Sequence, residues 1–185
     1  MEVTLFRHGI AVDRADPRCP VDFERPLTLE GKQRAAIAIR GLKALGLKPD
    51  RVIVSPYVRC QQTARLVMQE LGLARRSLVT SDELVPGIDP RAIWGTLAAT
   101  PASAVLLVGH GGTLEPMAGV ALGIPTLLPP EPEAPPNESV RDVAFRSLQL
   151  KKAGAMHLDV RFDPTLDARL LWHLPSRVLR LLARP

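Results

Sequence analysis

Three short stretches of this 185-residue chain hold side chains that packing alone does not explain. Arg7-His8-Gly9 follows the apolar run Val3–Phe6, "SPYVR" (Ser55 to Arg59) follows "RVIV", and Gly109-His110-Gly111-Gly112 follows "AVLLV". A strand interior has no use for a cation, an imidazole and a glycine in succession. A strand end that opens into a cleft does. Together the stretches supply two imidazoles, two guanidiniums and two helix starts, a set in which everything except neutral histidine is electropositive. That suits a phosphoryl group, whose oxygens carry charge throughout transfer. Arginine matches those oxygens with a bidentate fork, and a helix N-terminus adds N–H donors and the positive end of its dipole. One imidazole, partly neutral near pH 7, can attack phosphorus. Gly9 and Gly111 beside the histidines let the backbone approach a ligand.

The elements that must position these residues alternate between strand and helix. Val3–Phe6 reads as a short buried strand, Arg51–Val54 and Leu78–Thr80 as further strands, and Ala104–Val108 as a continuous apolar one. Thr28 caps a helix over 29–45, with Ala36, Ile39, Leu42 and Leu45 near helical spacing. Ser55-Pro56 predicts an N-cap and first helical residue for a helix running to Leu71. Further helices are expected over 91–99, 113–122 and 176–183. In "AMHLDVRF" the apolar residues Met156, Leu158, Val160 and Phe162 alternate with His157, Asp159 and Arg161, which predicts a strand with one wet face and a surface His157. "ARLLWHL" forms a further strand beside it, with His173 structural. The proline-rich stretch at 129–136 predicts an exposed loop. The pattern predicts one α/β domain over 1–185, a three-layer α/β/α sandwich with a mostly parallel sheet. In such sheets ligands bind beyond the carboxyl ends of the strands, so the three stretches can share one cleft.

Composition narrows the functional classes. The formal charge of +5 and pI of about 9.8 admit a nucleic acid or an anionic small substrate. The basic residues are scattered and aromatics make up only 4%, too few for base-stacking platforms, so no nucleic-acid partner is expected. No apolar run is long enough to span a bilayer and no leader pattern precedes Val3, which predicts a cytoplasmic protein with no membrane partner. The two cysteines, Cys19 and Cys60, fit neither a disulfide framework nor a zinc pattern and are expected to be free thiols, Cys60 as a small packed one. Ser55 lacks the G-x-S-x-G elbow of a nucleophile, and capping explains it better.

"RHG", "SPYVRCQQTA" and "GHGG", in this order and each after a strand, resemble the histidine phosphatase superfamily, which includes the phosphoglycerate mutases. "ERPLTLEGKQRA" and "LLWHLPSRVL" look most like its SixA-type phosphohistidine phosphatases. The resemblance implies a phosphoglycerate mutase-like fold. It makes His8 the nucleophile, with Arg7, Arg59 and His110 clamping the phosphoryl oxygens. Arg25 becomes an outer substrate contact, with Gly9, Ser55 and Gly111 lining the site. Glu83, in "SDELVPG", is the positional match to the general acid of mutase-like members, and Asp13 is an alternative. No cofactor and no metal is implied, because guanidinium and imidazolium supply the charge. The expected substrate is a phosphohistidine in a protein, or else a small phosphorylated metabolite such as a sugar phosphate or nucleotide. A non-catalytic phosphate-binding module fits less well, because the nucleophile and its arginines are intact.

Overall fold

The computed structural model describes residues 1–124 and 148–183. The expected proline-rich loop at 129–136 lies outside the described residues. The elements in chain order are β1 (Glu2–Arg7), α1 (Leu29–Ala44), β2 (Arg51–Val54), α2 (Val58–Leu71), β3 (Leu78–Thr80), α3 (Ala92–Ala98), β4 (Ala104–Gly109), α4 (Gly111–Ala121), β5 (Ala155–Arg161), β6 (Asp167–Leu174) and α5 (Ser176–Leu182). The strands form one sheet in the order β3-β2-β4-β1-β5-β6. Pairings from β3 through β1 are parallel, and β5 and β6 add an antiparallel edge.

Helices cover both faces of the sheet, which is why its central strands read as continuous apolar runs. Val3, Leu5, Val105 and Leu107 face one core with Ile93, Trp94, Leu114 and Met117 of α3 and α4. Phe6, Val52, Val54, Leu106 and Val108 face the other, with Ile39, Leu42, Val67 and Leu179 of α1, α2 and α5. This is the expected three-layer sandwich. Thr28 does cap α1, its hydroxyl accepting from Gly31 N–H at 2.9 Å. The buried stripe of α1 runs through Gly31, Ala35, Ala38, Ile39 and Leu42, while Leu45 is exposed. No helix among the described residues is long and apolar enough to cross a membrane.

The strand register aligns the ends of the sheet. Arg7 lies opposite Gly109 on β1 and β4, and Val54 lies opposite Val108 on β2 and β4. The ladder continues one step past the strands, with His8 N–H donating to Gly109 O and Ser55 N–H to Val108 O, each at 3.0 Å. Three adjacent parallel strands therefore end at one level.

Two local expectations are corrected. Ser55 does not cap α2; its hydroxyl pairs with His110 Nε2, and the helix starts at Val58 after Tyr57. That places Arg59 in the first turn. His157 is not a surface residue: it is only 7% exposed. Alternation alone cannot show what the flanking strands place beside a polar residue, and here they enclose it. The His157 ring stacks on Trp172 with centroids 4.8 Å apart, and its Nδ1 pairs with Thr4 Oγ1 at 2.9 Å.

That buried pair yields a stability prediction. Thr4→Val leaves the His157 nitrogen without its partner, which should cost about 1–3 kcal/mol in urea unfolding. Thr4→Val combined with His157→Phe removes both polar groups and keeps the stack on Trp172, so it should recover most of that loss. A double variant no more stable than the single one would contradict the pairing.

Candidate active site

The three strand ends deliver Arg7 and His8 from β1, Ser55 and Arg59 from the β2–α2 junction, and His110 from the β4–α4 junction. The rings of His8 and His110 meet edge to face, with centroids 5.3 Å apart. Arg59 is the most enclosed cation, 2% exposed. Its Nη1 donates to the carbonyl of Asp22 at 2.5 Å, and its Nη2 donates to the Asp22 carboxylate at 3.1 Å. Nη2 also faces His110 Nδ1 at 3.2 Å. A guanidinium cannot accept, so His110 Nδ1 accepts and its ring proton sits on Nε2. There Ser55 Oγ accepts it at 3.1 Å.

His8 has the opposite tautomer. Its Nδ1 is 2.7 Å from the carbonyl of Gly9, which only an N–H can face. Nε2 therefore carries the lone pair. Burial pushes the His8 imidazole well below its ordinary value; the Gly9 carbonyl opposes this, while His110, Arg59 and Arg7 add to it. Burial, then Arg59, lowers His110 to about 3, with Asp22 opposing. Both imidazoles are therefore held neutral at pH 7.

Arg7 Nη1 donates to Leu150 O at 2.8 Å, and its guanidinium lies flat against Gly111. A Cβ at Gly111 would come within 3.0 Å of the Arg7 guanidinium carbon, and one at Gly9 within 2.9 Å of Gly31 O on α1. Each glycine thus makes room for a neighbouring part of the protein, which differs from the expected role of admitting a ligand. Three buried polar side-chain atoms have no hydrogen-bond partner among the described residues: Arg7 Nε, Arg59 Nε and Thr113 Oγ1 in the first turn of α4. Unpaired buried donors are costly, and two of these belong to arginines flanking His8. They are what an anion would satisfy.

The remaining residues of "CQQTA" are supports. Thr63 Oγ1 donates to Arg59 O at 2.7 Å and accepts from Gly9 N–H at 3.2 Å, and Gln62 Oε1 accepts from Leu27 N–H at 2.7 Å. Cys60 is buried 3.5 Å from His110 Nε2, with its thiol pushed up to about 12 by burial, so it is inert packing. Cys19 is also a free thiol.

Arg25 and Glu83 stand apart. Arg25 donates to the Asp22 carboxylate at 2.9 Å and to Val12 O at 2.8 Å, so it reaches the site only through the aspartate it shares with Arg59. The Glu83 carboxylate accepts from Thr96 Oγ1 at 2.8 Å and from Ser81 Oγ at 3.3 Å, and from none of the clustered residues. Asp13, the alternative acid, is exposed and accepts from Ala15 N–H in its own loop.

Three contributors were not anticipated. Asp22 gathers Arg14, Arg25 and Arg59; its partial burial works against ionisation, but the guanidiniums outweigh that and hold it below the usual carboxylate range. Glu115 is 1% exposed and fixes Leu150 N–H at 2.5 Å, whose carbonyl in turn holds Arg7. Being the only charge in the apolar helix "GGTLEPMAGVA", it was visible in the sequence. Tyr57 packs edge-on to His110 with centroids 4.8 Å apart, under the Arg59 guanidinium and beside Phe23. Among the described residues no group of three His, Cys, Asp or Glu side chains is placed to hold a metal ion.

Residues 3–85 match the model of the histidine phosphatase superfamily, branch 1. The chain is 33% identical over 100 residues to the phosphohistidine phosphatase SixA of Escherichia coli; the match covers 54% of this chain and little more than half, 56%, of that protein. A putative phosphohistidine phosphatase SixA from Agrobacterium tumefaciens superposes with a TM-score of 0.66 at 26% identity, covering 94% of this chain and 96% of the other. The protein histidine phosphatase SixA complexed with tungstate shares the fold, with a TM-score of 0.72 at 24% identity and coverage of 97% and 99%.

The neutral imidazoles give a pH prediction. Below about pH 6.5 the unfolded chain protonates its histidines and the native site does not. The unfolded state then binds more protons, so stability is undiminished above that pH and falls as pH drops through it. For His110 the loss continues down to about 3. Urea unfolding between about pH 7 and pH 4 should show a steady decline, with each withheld proton contributing a slope of about 1.4 kcal/mol per pH unit. His110→Asn should flatten the profile by one such proton. A level wild-type profile would overturn the assignment of neutral native imidazoles.

Proposed function

Because residues 3–85 match the histidine phosphatase superfamily and the chain resembles phosphohistidine phosphatases, we propose that it is a phosphatase of that superfamily working through a covalent phosphohistidine on His8, with phosphohistidine in a protein as its substrate. The observation that carries the reading is the His8 ring: Nδ1–H anchored on Gly9 O, a neutral Nε2 lone pair, and the charges of Arg59 and Arg7 nearby, each arginine with a buried Nε that lacks a partner among the described residues.

His8 Nε2 attacks phosphorus as the bond to the leaving group breaks, and Nδ1–H keeps its bond to Gly9, stabilising the ring as it gains positive character. Arg7 and Arg59 hold the phosphoryl oxygens, their unpaired Nε groups acting as donors that need no reorganisation. The arriving dianion raises the proton affinity of His110 and makes it a further donor. Water then attacks the phosphorylated His8, releasing inorganic phosphate and restoring the imidazole. Phe23, 47% exposed, and Tyr57 form an aromatic wall beside His110 that suits a flat leaving group such as an imidazole.

Two tests bear on this reading. His8→Ala should keep the fold and lower turnover by about 10³-fold or more. Base-quenched wild-type enzyme caught during turnover should carry acid-labile phosphate that the variant lacks. Labelling of the variant, or activity above a tenth of wild type, would remove His8 as nucleophile.

Glu83 separates the substrate classes. An alkyl phosphate leaves as a poor alkoxide unless protonated, whereas a phosphoramidate nitrogen can be protonated before it leaves. If Glu83 turns from Thr96 toward the leaving group, Glu83→Gln should cut alkyl phosphate hydrolysis by about 10²–10⁴. Phosphohistidine and p-nitrophenyl phosphate cleavage should barely change. Equal losses on all three would make Glu83 a positioning residue; no loss on any would leave it without a role.

A further inference from the structure

Beside the candidate active site lies a groove of about 490 Å³ between the start of α1, the segment 149–153 and α5. Six cations line it: Arg7, Arg34, Lys151, Lys152, Arg177 and Arg180. None of its described lining residues is acidic. Arg34 pairs with Glu30 at 2.5 Å on its own helix, and Arg180 donates to Ser176 Oγ at 3.0 Å. Lys151 bonds to Gln149. Lys152 and Arg177 make no hydrogen bond or ion pair among the described residues, and both are exposed. The groove is contiguous with the catalytic cluster, because its wall includes Arg7 and also Ile10, two residues past His8.

A cationic concavity that shares a wall with a phosphoryl site raises the local concentration of anions and sets how they arrive. These charges stand on long side chains from β1, α1, the segment 149–153 and α5 around an open groove. That arrangement suits several carboxylates spread over a surface better than one compact anion held by convergent hydrogen bonds. We propose that this groove docks an acidic stretch of the phosphoprotein next to its phosphohistidine, and so selects substrates by the charge flanking the phosphorylated residue. The inference rests on the reading of the site as one that takes phosphohistidine in a protein. The docking charges contribute mainly to encounter and to KM, since they lie outside the reacting group.

The test uses two synthetic phosphohistidine dodecapeptides, one with Asp and Glu around the phosphohistidine and one with Asn and Gln in their place. Wild-type enzyme should prefer the acidic peptide by about tenfold in kcat/KM, through KM, and about 0.5 M NaCl should erase the preference. Lys152→Glu combined with Arg177→Glu should abolish or invert it while p-nitrophenyl phosphate hydrolysis stays at the wild-type rate. Equal cleavage of both peptides by the wild type overturns the groove and leaves the phosphohistidine reading standing. Cleavage of p-nitrophenyl phosphate but of neither peptide overturns both. A double variant that loses affinity for inorganic tripolyphosphate, as an inhibitor, while keeping the peptide preference reassigns the groove to a small polyanion and sinks the docking proposal.

Discussion

Arg59 is a cation with almost no exposure to water, and the arrangement of this end of the molecule is set by what that burial demands. A buried guanidinium is tolerated only when its donors are met and its charge is balanced. Asp22 does most of this, using both its carbonyl and its carboxylate. That contact ties the loop between β1 and α1 to the first turn of α2, and it draws Arg25 and Arg14 to the same carboxylate. The remaining Arg59 contact goes to His110 and fixes which of that ring's nitrogens carries the proton. Ser55 then completes the chain on the other side of the ring.

One consequence is electrostatic. Two imidazoles beside two arginines, away from water, cannot themselves be charged, so burial and the neighbouring cations act together to keep them neutral. A neutral His8 is what a nucleophile requires. The same surroundings leave Nε of both arginines without partners among the described residues. The site is therefore less stable alone than it would be around an anion, a strain of the kind expected where function and stability compete. The supports Thr63, Gln62 and Glu115 lie on helices, and Leu150, whose carbonyl holds Arg7, is itself fixed by Glu115, which keeps the geometry rigid.

The sheet makes the convergence possible. β2, β4 and β1 are parallel neighbours, and their carboxyl ends are brought level by the pairing of Arg7 with Gly109 and Val54 with Val108. A slip of one residue in β1 would turn Leu5 and Phe6 to the wrong cores. The apolar packing on both faces thus fixes the position of Arg7 and His8 as firmly as any contact within the site. The antiparallel edge of β5 and β6 carries the chain back so that segment 149–153 and α5 flank the same end. Their cations come to lie next to Arg7.

Much of this was legible in the sequence, because strands buried on both faces leave unbroken apolar runs and their ends are marked by abrupt polar residues. The three parallel strands β1, β2 and β4, the motifs that follow them, and the clustering of Arg7, His8, Arg59 and His110 all rest on such local signals. The resemblance of those motifs to a known superfamily added the expected roles. What tertiary structure decided were matters of partnership across long separations. Periodicity could not say that Thr4 and Trp172 on the flanking strands enclose His157, that the Ser55 hydroxyl pairs with His110 and does not cap α2, or that Gly9 and Gly111 make room for α1 and Arg7. Nor could it show that Asp22 neutralises a cation 37 residues away, or that basic residues spread from Arg34 to Arg180 line one groove. Local sequence sets which backbone and burial pattern a segment prefers; the neighbour of a polar side chain is set by chain topology, and only the folded arrangement contains it.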